Sequence, residues 1–184
     1  HRKEPALVSG QLSQQITQFM QSLKCHAEGP YPSTKVSRKN KRDAEMILEA
    51  YAGKAGELTA INQYFDHSIR LGSDPAAETE LCISMIEMLH LDLLGDLITA
   101  LGGDLKYWDS NKTFWTGNDV YYSDGKVDLV EMDIKIERQA IEEYDKLIQE
   151  VEEPEAVAVL QRIRADEEVH LRLFENELKR MHEG

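Results

Sequence analysis

The chain has 184 residues, of which 41% are hydrophobic, and a formal net charge of −13 at neutral pH. This length is typical of one compact domain with a core large enough to fold unaided. A surface with this charge would repel a polyanion, so nucleic acid is not expected as a main partner. No apolar run reaches the roughly 18 residues that a membrane span needs, and no charged-then-apolar leader is found at the start, so neither membrane insertion nor export is expected.

The cysteine content is low. Cys25 and Cys82 are the only cysteines, and they form no Cys-x-x-Cys pair. The sequence therefore predicts neither a disulfide framework nor a thiolate zinc site. A reducing, cytoplasmic location is the expectation that follows.

Residues 1–42 are interpreted as an N-terminal extension. A short amphipathic helix, with Ser9 as its cap, is predicted from one apolar stripe at helical spacing, formed by Leu12, Ile16, Phe19, Met20 and Leu23. We expect this stripe to pack on the chain's own bundle or on a partner subunit, which favours a homodimer or a higher homo-oligomer. The polar face is rich in glutamine and serine rather than basic, which argues against membrane binding. A basic linker follows, containing Lys35, Arg38, Lys39, Lys41 and Arg42.

Residues 43–184 are interpreted as a second unit made of four long helices. Residues 43–71 lack proline and carry apolar residues at helical spacing, so they predict one long first helix. The sequence Gly72-Ser73-Asp74-Pro75 predicts a tight turn and the start of a second helix, which continues to about Leu101. A third helix is predicted from Asp128 to about Val151. A fourth begins at Pro154 and continues almost to the C-terminus.

The segment between the second and third helices, residues 103–127, is too long for a tight turn. Loops of this length usually cross the structure or carry function. A crossover along the length of the bundle would make the second and third helices parallel. We expect its aromatic residues to pack against the bundle surface, namely Tyr107, Trp108, Phe114, Trp115, Tyr121 and Tyr122.

The most informative feature is a repeat of charged residues at an offset of 80 residues. The motif Glu-x-x-Ala-Ile-x-x-Tyr begins at residues 57 and 137, and Glu-x-x-His follows each copy 30 residues later. Glutamate and histidine three residues apart share one helix face, and the helical rise returns each pair of glutamates to one level of the bundle. Two metal ions in a four-helix bundle require such a ligand set. The predicted ligands are Glu57, Glu87, His90, Glu137, Glu167 and His170.

Two tyrosines belong to the same repeat. Tyr64 and Tyr144 each follow a predicted glutamate ligand by seven residues and so lie on the same helix face. They are candidate catalytic residues, which could hydrogen-bond a ligand carboxylate or pass an electron. A purely structural role as core aromatics is the alternative. His67 and His182 fall outside the repeat and receive no role.

These motifs resemble the ferritin-like superfamily of di-iron and di-manganese carboxylate proteins, which includes bacterioferritin, rubrerythrin and manganese catalase. The resemblance covers about residues 45–182; residues 57–65 are similar to the first helix of bacterioferritin, and residues 166–170 to the fourth helix of the whole group. It implies an all-α fold, an antiparallel four-helix bundle with a long crossover loop between helices 2 and 3. It also implies two divalent metal ions, iron first and manganese next.

The sequence departs from the family pattern at several points. Rubrerythrins carry an extra carboxylate where this chain has Ile134, and the paired cysteines of a rubredoxin module are absent here. Bacterioferritin has a further short helix that helps to close its shell, whereas 14 residues follow His170 in this chain. A self-contained rubrerythrin peroxidase and a hollow storage cage are therefore not expected.

Three main functions are compatible with the resemblance, and a di-iron hydroxylase that acts on an organic substrate, for which an apolar pocket beside the metals would be needed, is a further alternative. The first is a di-iron redox protein that oxidises Fe(II) or reduces peroxide or dioxygen, with a small-molecule oxidant and possibly an electron-donor protein as partners. The second is disproportionation of hydrogen peroxide, as in manganese catalase. The third is a metal-stabilised structural or iron-storage component without turnover.

Overall fold

The structure is a computed structural model that describes residues 9–183, with side chains from residue 13 onward. The described chain contains α-helices and one 3₁₀ turn, with no strand, so the predicted all-α class is confirmed. The helices are α1 (Ser9–Ser22), α2 (Lys41–Ala52), α3 (Glu57–Leu71), α4 (Ala76–Ala100), α5 (Lys126–Glu150) and α6 (Pro154–Glu183), and the 3₁₀ turn is Gly117–Asp119. No helix in this part of the chain is long and apolar enough to cross a membrane.

Two antiparallel helix pairs form the bundle, α3 with α4 and α5 with α6. The turn between α3 and α4 uses Gly72, whose φ of +61° is in the left-handed region that favours glycine. The carboxylate of Asp74 then accepts a hydrogen bond from the Ala76 amide at 3.0 Å, at the start of α4.

The predicted continuous helix over residues 43–71 is wrong, because the chain breaks between α2 and α3. Residues 53–56 include two glycines that allow a close approach of backbone segments. A Cβ atom at Gly56 would lie 2.7 Å from the carbonyl oxygen of Ala50, which is too close for any side chain at this position. The break makes Glu57 the first residue of α3, where the helix dipole favours a negative charge.

The crossover between α4 and α5 is confirmed, and it runs along α2 and α3. At its start, Gly103 packs against Ala44 in the first turn of α2. Further along, the indole of Trp115 donates to the hydroxyl of Thr59 at 2.9 Å, and beyond it the Tyr121 amide donates to Gln63 of α3 at 3.0 Å. Because the segment spans the bundle from end to end, α4 and α5 are parallel.

The expectation that all six aromatics of the crossover pack on the bundle is only half right. Trp108, Trp115 and Tyr121 are partly buried against the core. The other three are exposed by more than half of their surface, namely Tyr107, Phe114 and Tyr122. The six rings occur as three adjacent pairs in the sequence, and in each pair one ring faces the bundle while its neighbour faces solvent.

The N-terminal helix is present, and the bundle covers only part of its apolar stripe, since Leu23 packs against the core near the turn between α3 and α4. Ile16 is 45% exposed and Phe19 is 56% exposed. The side chain of Leu12 lies outside the described residues. Docking of this stripe on the chain's own bundle is therefore wrong for Ile16 and Phe19, while contact with a partner subunit stays a prediction.

The expectation that the two cysteines are unpaired is wrong. Cys25 and Cys82 form a disulfide with their Cα atoms 6.2 Å apart, linking the segment after α1 to the first half of α4. The two positions are 57 residues apart in the sequence, and no local motif marks them as partners. Only the packing of the N-terminal segment against α4 brings them together.

Candidate metal centre

All six predicted ligands meet in the middle of the bundle. Glu57 comes from α3, Glu87 and His90 from α4, Glu137 from α5, and Glu167 and His170 from α6. Each of these side chains is at most 4% exposed. Apolar clusters lie on both sides along the bundle axis, one around α2 and the second half of α4, the other around the turn between α3 and α4.

The ligand atoms form two overlapping groups, within each of which they all lie within 4.8 Å of one another. The first group contains Glu57, Glu87, His90 and Glu167, and the second contains Glu87, Glu137, Glu167 and His170. Glu87 and Glu167 belong to both groups, so their carboxylates are placed to bridge two ions. Each group adds one histidine and one glutamate of its own.

Both imidazoles turn the same nitrogen toward the carboxylates. The Nδ1 atom of His90 lies 2.7 Å from Glu87 and 3.1 Å from Glu167. The Nδ1 atom of His170 lies 3.0 Å from Glu87 and 3.4 Å from Glu167. The two rings are stacked with their centroids 5.8 Å apart. Two equivalent nitrogens therefore face a shared pair of carboxylates.

The charges of the metal-free cluster strongly perturb its proton affinities. Burial raises the pKa of Glu57 and of Glu137 well above the usual value, and the neighbouring glutamates raise both further. Burial opposes protonation of His170, but the carboxylates of Glu87 and Glu167 raise its pKa to about 10. Burial would also raise the pKa of Glu87, yet the two imidazolium charges lower it far below its usual range. Without metal, the cluster depends on protons for charge balance.

Several buried polar atoms of the cluster have no aligned hydrogen bond within the described part of the chain. They are one oxygen each of Glu87, Glu137 and Glu167, and both ring nitrogens of His170. Leaving such atoms unsatisfied in an apolar environment costs free energy, which a bound cation would remove. Four carboxylates also balance the charge of two divalent ions. The donor set thus fits a pair of divalent metal ions.

The two tyrosines of the repeat each hold a glutamate of the opposite helix. The hydroxyl of Tyr64 on α3 donates to Glu137 on α5 at 2.6 Å, and the hydroxyl of Tyr144 on α5 donates to Glu57 on α3. The sequence indicated a hydrogen bond to a ligand carboxylate but could not say which one. A role in passing an electron stays a prediction.

Asp166 is a residue next to the centre that the repeat did not reveal. Its carboxylate lies 2.9 Å from the Nε2 atom of His90, on the side of the ring away from the cluster. A carboxylate in this position fixes the orientation and tautomer of a metal-binding histidine. The residue 80 positions earlier is Ile86, which explains why the repeat gave no signal. The available signals were its position next to Glu167 and its place in residues 166–170, which resemble the fourth helix of the family.

Comparison with known proteins also supports a pair of metal ions in a helical bundle. No family model matches the chain. A probable manganese catalase of Clostridium acetobutylicum is 24% identical over 168 residues, which cover 80% of this chain and 75% of that protein. The crystal structure of a manganese catalase from Anabaena superposes with a TM-score of 0.79 at 23% identity, covering 85% of this chain and 80% of that one. The fold is ferritin-like.

Bacterioferritins are also structural neighbours of this ferritin-like chain. The Mycobacterium tuberculosis bacterioferritin has a TM-score of 0.66 at 25% identity, covering 79% of this chain and 89% of that one. The Desulfovibrio desulfuricans bacterioferritin, whose structure contains a di-iron site, has a TM-score of 0.66 at 24% identity over 77% of this chain and 81% of that one. These neighbours confirm the resemblance to the ferritin-like carboxylate superfamily. With the buried carboxylate and histidine groups, they support a di-metal ferritin-like protein.

Proposed function

We propose that this chain disproportionates hydrogen peroxide at a pair of manganese ions. The observation that carries the proposal is the overlap of the two ligand groups at Glu87 and Glu167, since two carboxylates common to both groups would hold two ions side by side. The similarity to manganese catalases in sequence and in fold favours this reaction over the others.

The reaction is balanced without an external reductant. One hydrogen peroxide is reduced to two molecules of water, and a second is oxidised to dioxygen, with two electrons and two protons passing from the second to the first. When bound by these residues, a pair of redox-active ions would supply the two-electron change. No electron-donor protein is required for this reaction.

The residues of this chain have distinct roles in the proposal. Glu87 and Glu167 would be shared by the two ions, Glu57 and Glu137 would each hold one ion, and His90 and His170 would complete the two ligand sets. Tyr64 and Tyr144 hold the terminal carboxylates in place through their hydroxyl groups.

The apolar clusters on either side keep bulk water away from the site. In such a surrounding, the electrostatic attraction between the carboxylates and the ions is stronger than it would be in water.

A di-iron centre is the second candidate. Carboxylate and imidazole ligands suit iron as well as manganese, and the bacterioferritin neighbours favour it. Such a centre would oxidise Fe(II), or would reduce peroxide or dioxygen with electrons from a donor protein. It would consume peroxide without releasing one dioxygen for every two peroxide molecules.

The test combines metal analysis with a peroxide assay. Protein from its native host is analysed for bound metal, and metal-free protein is reloaded with manganese or with iron. We expect the manganese form to release one dioxygen per two peroxide molecules consumed. Peroxide loss without dioxygen favours the di-iron candidate, and no reaction in either form would leave a structural or storage role.

A matched pair of variants links the activity to the site. Glu167→Gln changes a buried ligand, whereas Glu168→Gln makes the same change at the exposed neighbouring position. We expect Glu167→Gln to lose bound metal and activity together, and Glu168→Gln to retain both. Full activity of Glu167→Gln would show that the reaction does not occur at this centre.

A further inference from the structure

A second buried polar cluster lies next to the proposed metal centre and shares no residue with it. His67 of α3, Glu80 of α4 and Asp133 of α5 are all 0% exposed, and one ligand atom from each lies within 4.8 Å of the others. Asp133 precedes Glu137 by one helical turn, so the two clusters are separated by about 6 Å along the bundle axis. The second cluster lies on the side of the turn between α3 and α4.

The internal repeat does not account for this cluster. The residues at the corresponding positions of the other half are Leu147, Leu160 and Gly53. An apolar residue therefore suffices for packing at the positions that correspond to His67 and Glu80, while Gly53 lies in the break between α2 and α3. Three buried ionisable groups in one half call for a separate explanation.

The orientation of His67 is fixed in the manner of a metal ligand. Its Nε2 atom lies 2.7 Å from the carbonyl oxygen of Tyr121, which can only accept a hydrogen bond, so Nε2 carries a proton. The other nitrogen, Nδ1, then points into the cluster and lies 2.7 Å from Asp133. A histidine that binds metal usually donates its remote N–H to a carbonyl or carboxylate in this way.

One of the two carboxylate oxygens of Asp133 is hydrogen-bonded outside the cluster. Its Oδ1 atom accepts a hydrogen bond from the Gln63 side-chain amide at 2.7 Å. The Gln63 amide is itself oriented, because its oxygen accepts from the Tyr121 amide at 3.0 Å. The Oδ2 atom of Asp133 remains directed at His67 and the interior of the cluster.

Glu80 provides a second observation, independent of the orientation of His67, that favours a bound ligand. Both of its carboxyl oxygens are buried and accept no hydrogen bond from a donor among the residues that the structure describes, and a protonated Glu80 would donate to Asp133. Burial, reinforced by the nearby charge of Asp133, raises the pKa of Glu80 well above its usual value. An unsatisfied buried carboxyl group costs free energy that only a proton shared with a partner or a cation can remove.

We propose that His67, Glu80 and Asp133 bind a third divalent cation, separate from the pair at the metal centre. One imidazole and two carboxylates suit manganese, iron or zinc, and the two carboxylates neutralise the charge of one such ion. The crossover segment contributes to the site through the backbone of Tyr121, whose carbonyl group orients His67 and whose amide group orients Gln63.

The competing explanation is a network of protons alone. In that network an imidazolium of His67 pairs with the Asp133 carboxylate, and Glu80 stays protonated and neutral. The two explanations differ in the effect of Glu80→Gln. Glutamine has the shape and charge of a protonated glutamate, so it would leave a proton network undisturbed, but it would remove a charged ligand from a metal site.

The experiment counts bound ions after metal-free protein has been loaded with Mn²⁺ and passed through a desalting column. We expect three manganese ions per chain in the wild-type protein and two in Glu80→Gln. Glu78→Gln is the matched control, because Glu78 lies on the same helix and is exposed, and it should keep three. Electron paramagnetic resonance should show the six-line spectrum of an uncoupled Mn²⁺ ion in the wild type and not in Glu80→Gln.

Two ions in the wild type, or three ions in Glu80→Gln, would overturn the proposal. Asp133→Asn is a second variant to be used if Glu80→Gln fails to fold, as judged by circular dichroism, and it should also lose one ion. The third site does not rest on the proposed function. In Glu167→Gln, which disrupts the metal centre, the six-line signal of the third ion should persist.

Discussion

The Nε2 atom of His90 lies 2.9 Å from the carboxylate of Asp166. The same carboxylate accepts hydrogen bonds from the backbone amide of Ala27 at 2.7 Å and from the hydroxyl of Tyr31 at 2.5 Å. The segment that follows α1 thus supports one histidine of the metal centre. The Nε2 atom of His170 has no comparable partner in the described chain, so the two halves of the centre differ.

Asp166→Asn should weaken metal binding on the His90 side of the centre. The substitution removes the negative charge that orients the imidazole, and changes of this kind usually reduce metal affinity about 10- to 100-fold. Titration calorimetry of metal-free protein with Mn²⁺ measures the effect. Asp145→Asn is the control, because Asp145 pairs with Arg164 of α6 as Asp166 pairs with Arg162, but Asp145 is not in contact with the ligands. An equal loss in both variants would contradict the assigned role of Asp166.

Tyr64→Phe and Tyr144→Phe should each lower metal affinity by roughly tenfold, because each removes a hydrogen bond to a charged ligand, worth about 1.5 kcal/mol or more. The fold should be retained, since the rings still fill the core. Tyr122→Phe, which removes an exposed hydroxyl bonded to a backbone carbonyl, should have no effect on affinity. If metal affinity is unchanged in both core variants while turnover falls, the tyrosines act in the reaction rather than in binding.

The metal-free protein should lose stability as the pH rises from about 6.5 to about 10. The folded-state pKa of His170 is raised from 6.5 to about 10, so its stabilising contribution is complete below 6.5 and is lost as the pH passes through the raised value. The raised pKa values of Glu57 and Glu137 act in the same direction. Glu87 and Glu167, whose pKa values are lowered, contribute only to losses in acid.

Thermal unfolding across this pH range tests the prediction. The melting temperature of metal-free protein should fall with rising pH, whereas the manganese-loaded protein should show a much smaller change. Divalent ions replace the protons that balance the buried carboxylates, and so remove this pH dependence. A parallel decline in both forms would indicate that groups elsewhere in the chain are responsible.

Reduction of the disulfide between Cys25 and Cys82 should destabilise the protein. The bond closes a loop across 57 positions of the chain, and removing a native disulfide typically costs about 2–5 kcal/mol. Urea unfolding of Cys82→Ser, compared with the wild type with and without reductant, measures the change in the free energy of unfolding. Reductant should affect the wild type and leave Cys82→Ser unchanged. Equal stability of all samples would show that the bond does not constrain the chain.

The sequence predicted which six side chains meet in the middle of the bundle because their spacing is dictated by helix geometry. Glu-x-x-His puts two side chains on one face, and two copies at equal distances from a turn must meet at one level. The same reasoning failed for His67, Glu80 and Asp133. Each comes from a different helix, without a repeated counterpart, so nothing in the order of residues marks them as neighbours.

By itself, the amino-acid sequence determined the helical class, the four-helix arrangement with its crossover, and the six residues that converge at mid-bundle. Those features follow from local periodicity and regular rise, which act over a few turns of helix. Only the tertiary structure decided the break before Glu57, the pairing of Cys25 with Cys82 and the contact between Asp166 and His90. These depend on which distant segments approach each other, since close packing and hydrogen bonding across the bundle leave no periodic trace in the chain.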